Sequence, residues 1–205
     1  MLSSSPKVLG NTEKGRVFVV SAPAGTGKTT LTKMLVDEFP SVVESLSYTT
    51  RAPREDEVDG VHYKFVSRER FEKSIEEGEF LEWVELYGDY YGTSRNWVER
   101  RLNQGTHVVL VIDTQGALKL KDQYPATFIF IIPPSIDELR RRLLERRTES
   151  NEVIEKRLAW AKQEIEKSSL YDYRLVNFDL ETAYEVFKSI FIAEEHKVTL
   201  QNKGV

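Results

Sequence analysis

This sequence predicts an α/β fold: a parallel sheet covered by helices on both faces, with a smaller sheet inserted into it. Three observations lead there. Strand and helix signals alternate along the chain, and the clearest strands are continuous apolar runs, as buried parallel strands are. The middle of the chain instead mixes polar and apolar residues, as half-exposed strands do. With 205 residues, 40% of them hydrophobic, the chain can fill one core with smaller lobes attached.

Taken in order, the first 15 residues are expected to form a mobile tail. R-V-F-V-V-S-A at 16–22 is a β-branched run ending in a Pro/Gly turn, and residues 28–39 space Leu31, Met34, Leu35 and Phe39 as a helix does. The inserted sheet is expected from 43–49, 61–66 and 79–86, with turns at Asp59-Gly60 and Gly88. H-V-V-L-V-I-D at 107–113 reads as a buried strand followed by a helix. T-F-I-F-I-I at 127–132 precedes a helix opened by a capping box of Ser135 and Glu138. Residues 173–176 supply one more strand and 182–192 a last helix; there is no internal repeat.

Composition removes several kinds of chemistry. The net charge of -4 argues against general affinity for nucleic acid or anionic membrane, so any anion site must come from local Lys and Arg. There are no cysteines, hence no disulfides, thiolate metal sites or thiol nucleophiles. His62, His107 and His196 are too scattered for a local metal motif. No apolar run has signal-peptide or membrane-span length, and a soluble cytoplasmic protein is expected.

Chemistry enters at S-A-P-A-G-T-G-K-T-T, residues 21–30, set between a strand and a helix. Gly25 and Gly27 allow a sharp turn that aims N–H groups inward, and the following helix adds unpaired donors and its positive end. Lys28 would reach the outer phosphates of a triphosphate, and the Thr29 hydroxyl would be a ligand for Mg2+. Ala22 stands where the common pattern has its first glycine, but the glycines nearest the phosphates remain. Farther on, S-Y-T-T-R-A-P-R at 47–54 sets Arg51 and Arg54 across Pro53, and G-D-Y-Y-G-T-S at 88–94 adds phenols between glycines. Such forks and hydroxyls suit a phosphate monoester, although solvated surface arginines would read the same way.

Together with G-V-H-Y-K-F-V, F-L-E-W, I-D-T-Q-G, I-I-P-P-S, R-R-L-L-E-R-R and V-N, these motifs resemble the guanylate kinases over about 16–195. In that family an alanine at the position of Ala22 is acceptable. The resemblance implies a P-loop parallel-sheet core, a mixed-sheet GMP-binding lobe at 47–97 and a helical lid at 138–162. The tail at 1–15 lies outside these, and 16–46, 98–137 and 163–205 make up the core and C-terminal tail. It implies ATP as phosphoryl donor with Mg2+ held at Thr29, and GMP or dGMP as acceptor, in a monomer or homodimer. ATP would lie on Ala24, Gly25, Thr26, Gly27, Lys28, Thr29, Thr30 and Asn177. Arg51, Arg54, Tyr63 and Tyr91 would hold the GMP phosphate, and Ser47, Glu82, Thr93 and Asp113 would surround its base.

Base chemistry agrees with that carry-over. Guanine's pairing edge offers an imino N–H beside an amino group, so one carboxylate such as Glu82 can accept from both while a hydroxyl such as Ser47 donates to the ring carbonyl; adenine cannot satisfy this arrangement. Arg140, Arg141, Arg142, Arg146 and Arg147 cluster on the expected lid, with Arg157 on the next helix. The resemblance assigns Arg142, Arg146 and Arg157, beside Lys28, to the transferring group, leaving Arg140 and Arg141 as solvated bystanders. Departures from the family pattern fall at Val111, Arg147 and Phe178; relatives commonly carry an acid at the position of Val111. Two other readings remain: a monophosphate kinase for another base, against which Glu82 and Ser47 speak, and a phosphopeptide-binding module of guanylate-kinase type, against which the intact phosphate loop speaks.

Overall fold

The run V-F-V-V-S is buried at every position, which requires a strand paired on both edges and covered on both faces. In the computed structural model, which describes residues 7–145 and 150–198, it is β1 (Val17–Ser21). With β2 (Val42–Glu44), β7 (His107–Val111), β8 (Thr127–Ile132) and β9 (Tyr173–Val176) it forms a five-stranded sheet in the order β2-β7-β1-β8-β9. All of its pairings are parallel.

Alternation along β1 divides the core. Phe18 and Val20 pack with Leu31 and Leu35 of α1 (Lys28–Glu38) and with Phe187 and Phe191 of α7 (Leu180–His196). Val17 and Val19 face the other way, onto Val98 and Leu102 of α3 (Arg95–Asn103) and Ala117 and Leu120 of α4 (Thr114–Lys121). Helices on both faces are what the continuous apolar strands call for.

The second sheet has the order β4-β3-β6-β5, built from β3 (Tyr48–Thr49), β4 (Lys64–Phe65), β5 (Phe80–Leu86) and β6 (Asp89–Ser94). It is mixed, because β3 and β4 run parallel while β6 runs antiparallel to both β3 and β5. Phe71 of α2 (Arg68–Glu76) covers it, stacked on Phe80 and Tyr90 at 4.3 and 5.2 Å between centroids. The expected strand at 43–49 is a correction: its first part pairs with β7 in the core sheet and only its end enters the second sheet. Ser45 donates its N–H to Val109, and the chain crosses between sheets at 45–47.

A third, small cluster of Leu139, Leu143, Ile154, Leu158 and Ala161 joins α5 (Ile136–Glu145) to α6 (Asn151–Glu166). At the start of α5, Ser135 Oγ accepts from Glu138 N at 3.0 Å. Glu138 turns its carboxylate to Arg141 and Arg142 instead of back to Ser135, so only half of the expected capping box forms. The expected tail is also corrected in its described part. Leu9 is buried in the core, and the N–H groups of Gly10 and Asn11 donate to Glu195 on α7, whose Oε2 lies 2.6 Å from His107 Nε2.

Candidate active site

Between β1 and α1 the backbone turns through Gly25 and Gly27, at φ 89 and 91. Glycine holds that conformation without strain, and here space forbids a side chain as well. A Cβ on Gly27 would lie 2.5 Å from Asn177 Nδ2, and one on Gly25 would press on Leu143 and Leu139 at 3.0 and 3.1 Å. The loop is therefore held between the end of β9 and α5. Asn177 donates from Nδ2 to Thr26 O at 2.7 Å, and the Thr26 hydroxyl donates to Pro23 O at 2.8 Å. Helix α1 then begins with no side-chain cap and no acidic residue in its first turn, which leaves its N-terminal donors to an anion. Ala24, Thr29 and Thr30 are exposed there. Next to the loop a cavity of about 370 Å3 is lined by Gly25, Gly27, Arg142, Glu145, Asn177 and Leu180.

Lys28 starts α1. Burial holds its pKa below the ordinary value, partly offset by the charges of Glu164, Asp113 and Glu44. Of these only Asp113 was expected at the site. Its carboxylate is also the N-cap of α4, accepting from Gly116 N at 2.9 Å and Gln115 N at 3.1 Å, which fixes it at the C-terminal edge of the core sheet. Ligands bind at that edge in open parallel sheets.

Glu82 on β5 is buried. The Thr93 hydroxyl donates to its Oε1 at 2.7 Å, and Gly116 closes against Oε2, since a Cβ there would come within 2.7 Å. Burial pushes the Glu82 carboxyl up to about 7, against the Thr93 hydrogen bond and with help from the neighbouring charge of Asp113. Asp113 thus influences both the phosphate-loop lysine and the buried glutamate. Ser47 is half-buried where the chain enters the second sheet, its carbonyl accepting from Lys64 N.

On the second sheet Arg51, Tyr63 and Tyr91 come together. The Arg51 guanidinium lies 5.4 Å from the Tyr63 ring centre, and the Tyr63 and Tyr91 rings meet edge to face at 6.1 Å. A residue that sequence reasoning missed organises them. Both carboxylate oxygens of Glu57 accept from Arg51 Nη2, each at 2.8 Å, and one of them takes the Arg54 N–H at 2.9 Å, while Arg51 Nη1 donates to Ala52 O. Only its place in the E-D-E run after Arg54 hinted at it, and such a charge run reads as solvated.

Around α5, Arg142 is half-buried; its Nε donates to Glu138 and its Nη2 to the carbonyl of Asn177 at 3.0 Å, beside the cavity. Hydrogen bonds from Arg141 and Arg142 hold the Glu138 carboxyl down at about 2. Arg140 pairs with Glu155, and Arg141 with Glu138 and Glu145. Arg157 is half-buried on α6, within electrostatic reach of Tyr87. Arg146 and Arg147 lie outside the described residues. Val111 packs against the core cluster that includes Phe18, and Phe178 is exposed.

The model of the family described as guanylate kinase matches residues 14–194. The chain belongs to the guanylate kinase family. It is 58% identical over 190 residues to a guanylate kinase of Protochlamydia amoebophila, covering 93% of this chain and 96% of that one. It is 52% identical over 185 residues to a guanylate kinase of Chlamydia trachomatis, covering 90% of each. The crystal structure of guanylate kinase from Anaplasma phagocytophilum aligns with a TM-score of 0.75 at 35% identity, over 91% of this chain and 89% of that one. The enzyme class and the mixed α/β architecture follow from that membership.

Proposed function

We propose that this chain transfers the γ-phosphoryl group of ATP to GMP, and also to dGMP, giving ADP and the nucleoside diphosphate. The observation that carries this is the placement of Asp113 at the edge of the core sheet, where its Oδ1 and Oε2 of the buried Glu82 both lie against Gly116, on the side of the sheet where the phosphate loop stands. Lys28 and the N–H groups at 24–30 would hold the ATP phosphates, with Asn177 keeping the loop in shape. Thr29, exposed in the first turn of α1, fits a Mg2+ ligand. Mg2+ keeps several waters, so one hydroxyl and the phosphates are enough to hold it. When bound, the ion would neutralise charge on the phosphates.

Arg51, Arg54, Tyr63 and Tyr91 would take the GMP phosphate, with Glu57 keeping Arg51 aimed. Glu82, held at one oxygen by Thr93, would accept from the guanine N–H and amino groups, and Ser47 would donate to the ring carbonyl. The transfer breaks the bond from the γ-phosphorus to its bridging oxygen and makes one to a GMP phosphate oxygen, already anionic near neutral pH. No strong base is needed; alignment and charge neutralisation carry the rate. We assign 47–97 as the GMP lobe and 138–162 as the lid, with Arg142, Arg146 and Arg157 closing on the transferring group. Among the described residues no helix is long and apolar enough to cross a membrane, and a cytoplasmic kinase is the reading we adopt.

The test is release of ADP from ATP and Mg2+ with each of GMP, dGMP, AMP, CMP and UMP. Turnover confined to GMP and dGMP is expected. Turnover with another base would move the base assignment, and no turnover with any would favour a binding module.

A further inference from the structure

Hairpin β5–β6 turns at Tyr87 and Gly88, both with positive φ, 56 and 87. A two-residue turn of that hand favours Asn, Asp or Gly at its first position, because a larger side chain is strained there. Tyr87 is the one residue other than glycine with positive φ among the described residues, and it is 80% exposed. Neither local geometry nor burial accounts for a tyrosine at this tip.

Its ring does have a partner on another element. Tyr87 stacks on Trp160 of α6, centroids 5.1 Å apart and planes 16° from parallel. Trp160 is itself 48% exposed, so each ring covers part of the other's apolar surface. Trp160 stands three residues, about one helical turn, after Arg157, and Tyr87 lies within electrostatic reach of Arg157, Glu164 and Asp113. The pair therefore joins the tip of the second sheet to α6 beside the charged residues of the site.

We propose that Tyr87 and Trp160 form an aromatic latch that holds the second sheet against the α5–α6 hairpin and so positions Arg157 for the bound nucleotides. The proposal rests on the reading of these two regions as acceptor lobe and lid. With the latch formed, substrates need not supply all of the closing energy, so their apparent affinity rises while the chemistry of the closed state is unchanged. Both are positioning residues; neither touches the reacting atoms. The strained tyrosine is then explained by a contact outside its own turn.

Two measurements test this. In a variant whose only tryptophan is Trp160, with Trp83→Phe and Trp97→Phe, acrylamide quenching of the unliganded protein should rise on Tyr87→Asn, which keeps the turn and removes the ring. It should stay at the parent level on Tyr87→Phe. Calorimetry then follows binding of an analogue in which adenosine and guanosine are joined through a polyphosphate. Tyr87→Asn and Trp160→Leu should each weaken it about fivefold, the worth of one aromatic pair, and the double variant no more than either single. KM for GMP should rise correspondingly with little change in kcat, and Tyr87→Phe should restore it. Unchanged quenching, unchanged affinity or additive losses would overturn the latch. If the parent fails to bind the analogue, the kinase reading and the latch's role in positioning both fall.

Discussion

The loop at 21–30 is held by backbone geometry, two glycines at positive φ and one amide from Asn177, while the pocket around Arg51 and Glu82 is held by side chains that already bind one another. In the first region the donors for an anion are free by construction, since α1 has no cap. In the second, Glu57 and the Ala52 carbonyl take the two terminal nitrogens of Arg51, and Thr93 occupies one oxygen of Glu82. A ligand entering the loop finds its partners waiting, whereas one entering the pocket must share partners with the protein. Substitutions in the loop should therefore cost rate, and substitutions in the pocket should cost affinity and selectivity.

The largest expected effect follows from Lys28→Met. Charge lost at the β and γ phosphates should lower kcat by about 10²-fold or more, as loss of a preorganised donor does. GMP affinity by calorimetry should remain near the parent value; a large loss there would erase the distinction between the two regions. Next, Arg51→Lys keeps the charge and loses the planar fork, and should raise KM for GMP about tenfold with a smaller change in kcat. Glu57→Gln should raise the same KM by a few-fold, since glutamine keeps one acceptor for Arg51 and loses the charge. Were it instead to lower KM, Glu57 would be a competitor for Arg51 and not its orienting partner.

The smallest effect on turnover is expected far from both regions. His107 accepts the Arg16 N–H at Nδ1, 3.0 Å, so its proton sits on Nε2, facing Glu195. Burial holds the His107 pKa below its ordinary 6.5. Burial alone would raise Glu195, but hydrogen bonds from His107, Asn11 and Gly10 outweigh it and leave its pKa below 4.5. Groups depressed in the fold contribute stability above their unfolded pKa and lose it as pH falls through the folded one. The stability these two groups supply should therefore be lost on acidification below about pH 6.5, first from His107 and then from Glu195, while the raised Glu82 carboxyl acts in the opposite sense, so the quantity to read is the Tm difference between parent and variant. In His107→Gln the acid loss should shrink relative to the parent while turnover at pH 7.5 stays within about twofold, since this buried residue sits at the start of β7, away from both regions, and distant sites act independently.

The same contrast governs what could be read in the sequence. Three core strands were legible, at 16–22, 107–113 and 127–132, because burial on both faces demands uninterrupted apolar residues, and the edge strand at 173–176 was legible without that run. Strand β6 was hidden in G-D-Y-Y-G-T-S, a segment read for its phenols between glycines and not as a strand. Gly92 is there because a Cβ would meet Phe71 and Phe80 at 2.9 and 3.0 Å, a constraint from packing that no local pattern carries. Leu9 likewise gave no periodic sign; it is buried in the core, and the Gly10 and Asn11 N–H groups beside it are held by Glu195 from the far end of the chain. The phosphate loop was legible because its glycines, lysine and threonine act within ten residues. Glu57, Glu44 and Glu164 were not, since charged residues look solvated until the fold brings them to Arg51 or Lys28.

Glu82 is where the account is most exposed, because a buried carboxyl near pH 7 is costly unless a ligand repays it. The direct measurement compares kcat/KM for GMP and for IMP, which keeps the ring N–H and lacks the amino group, in the parent and in Glu82→Gln across pH 6 to 8. The ionised carboxylate should prefer GMP, increasingly as pH rises through about 7, and Glu82→Gln should bring the two substrates close together with a flat pH response. A variant that keeps the parent's GMP-to-IMP ratio and its pH dependence would contradict the assignment of Glu82 as the group that reads the base.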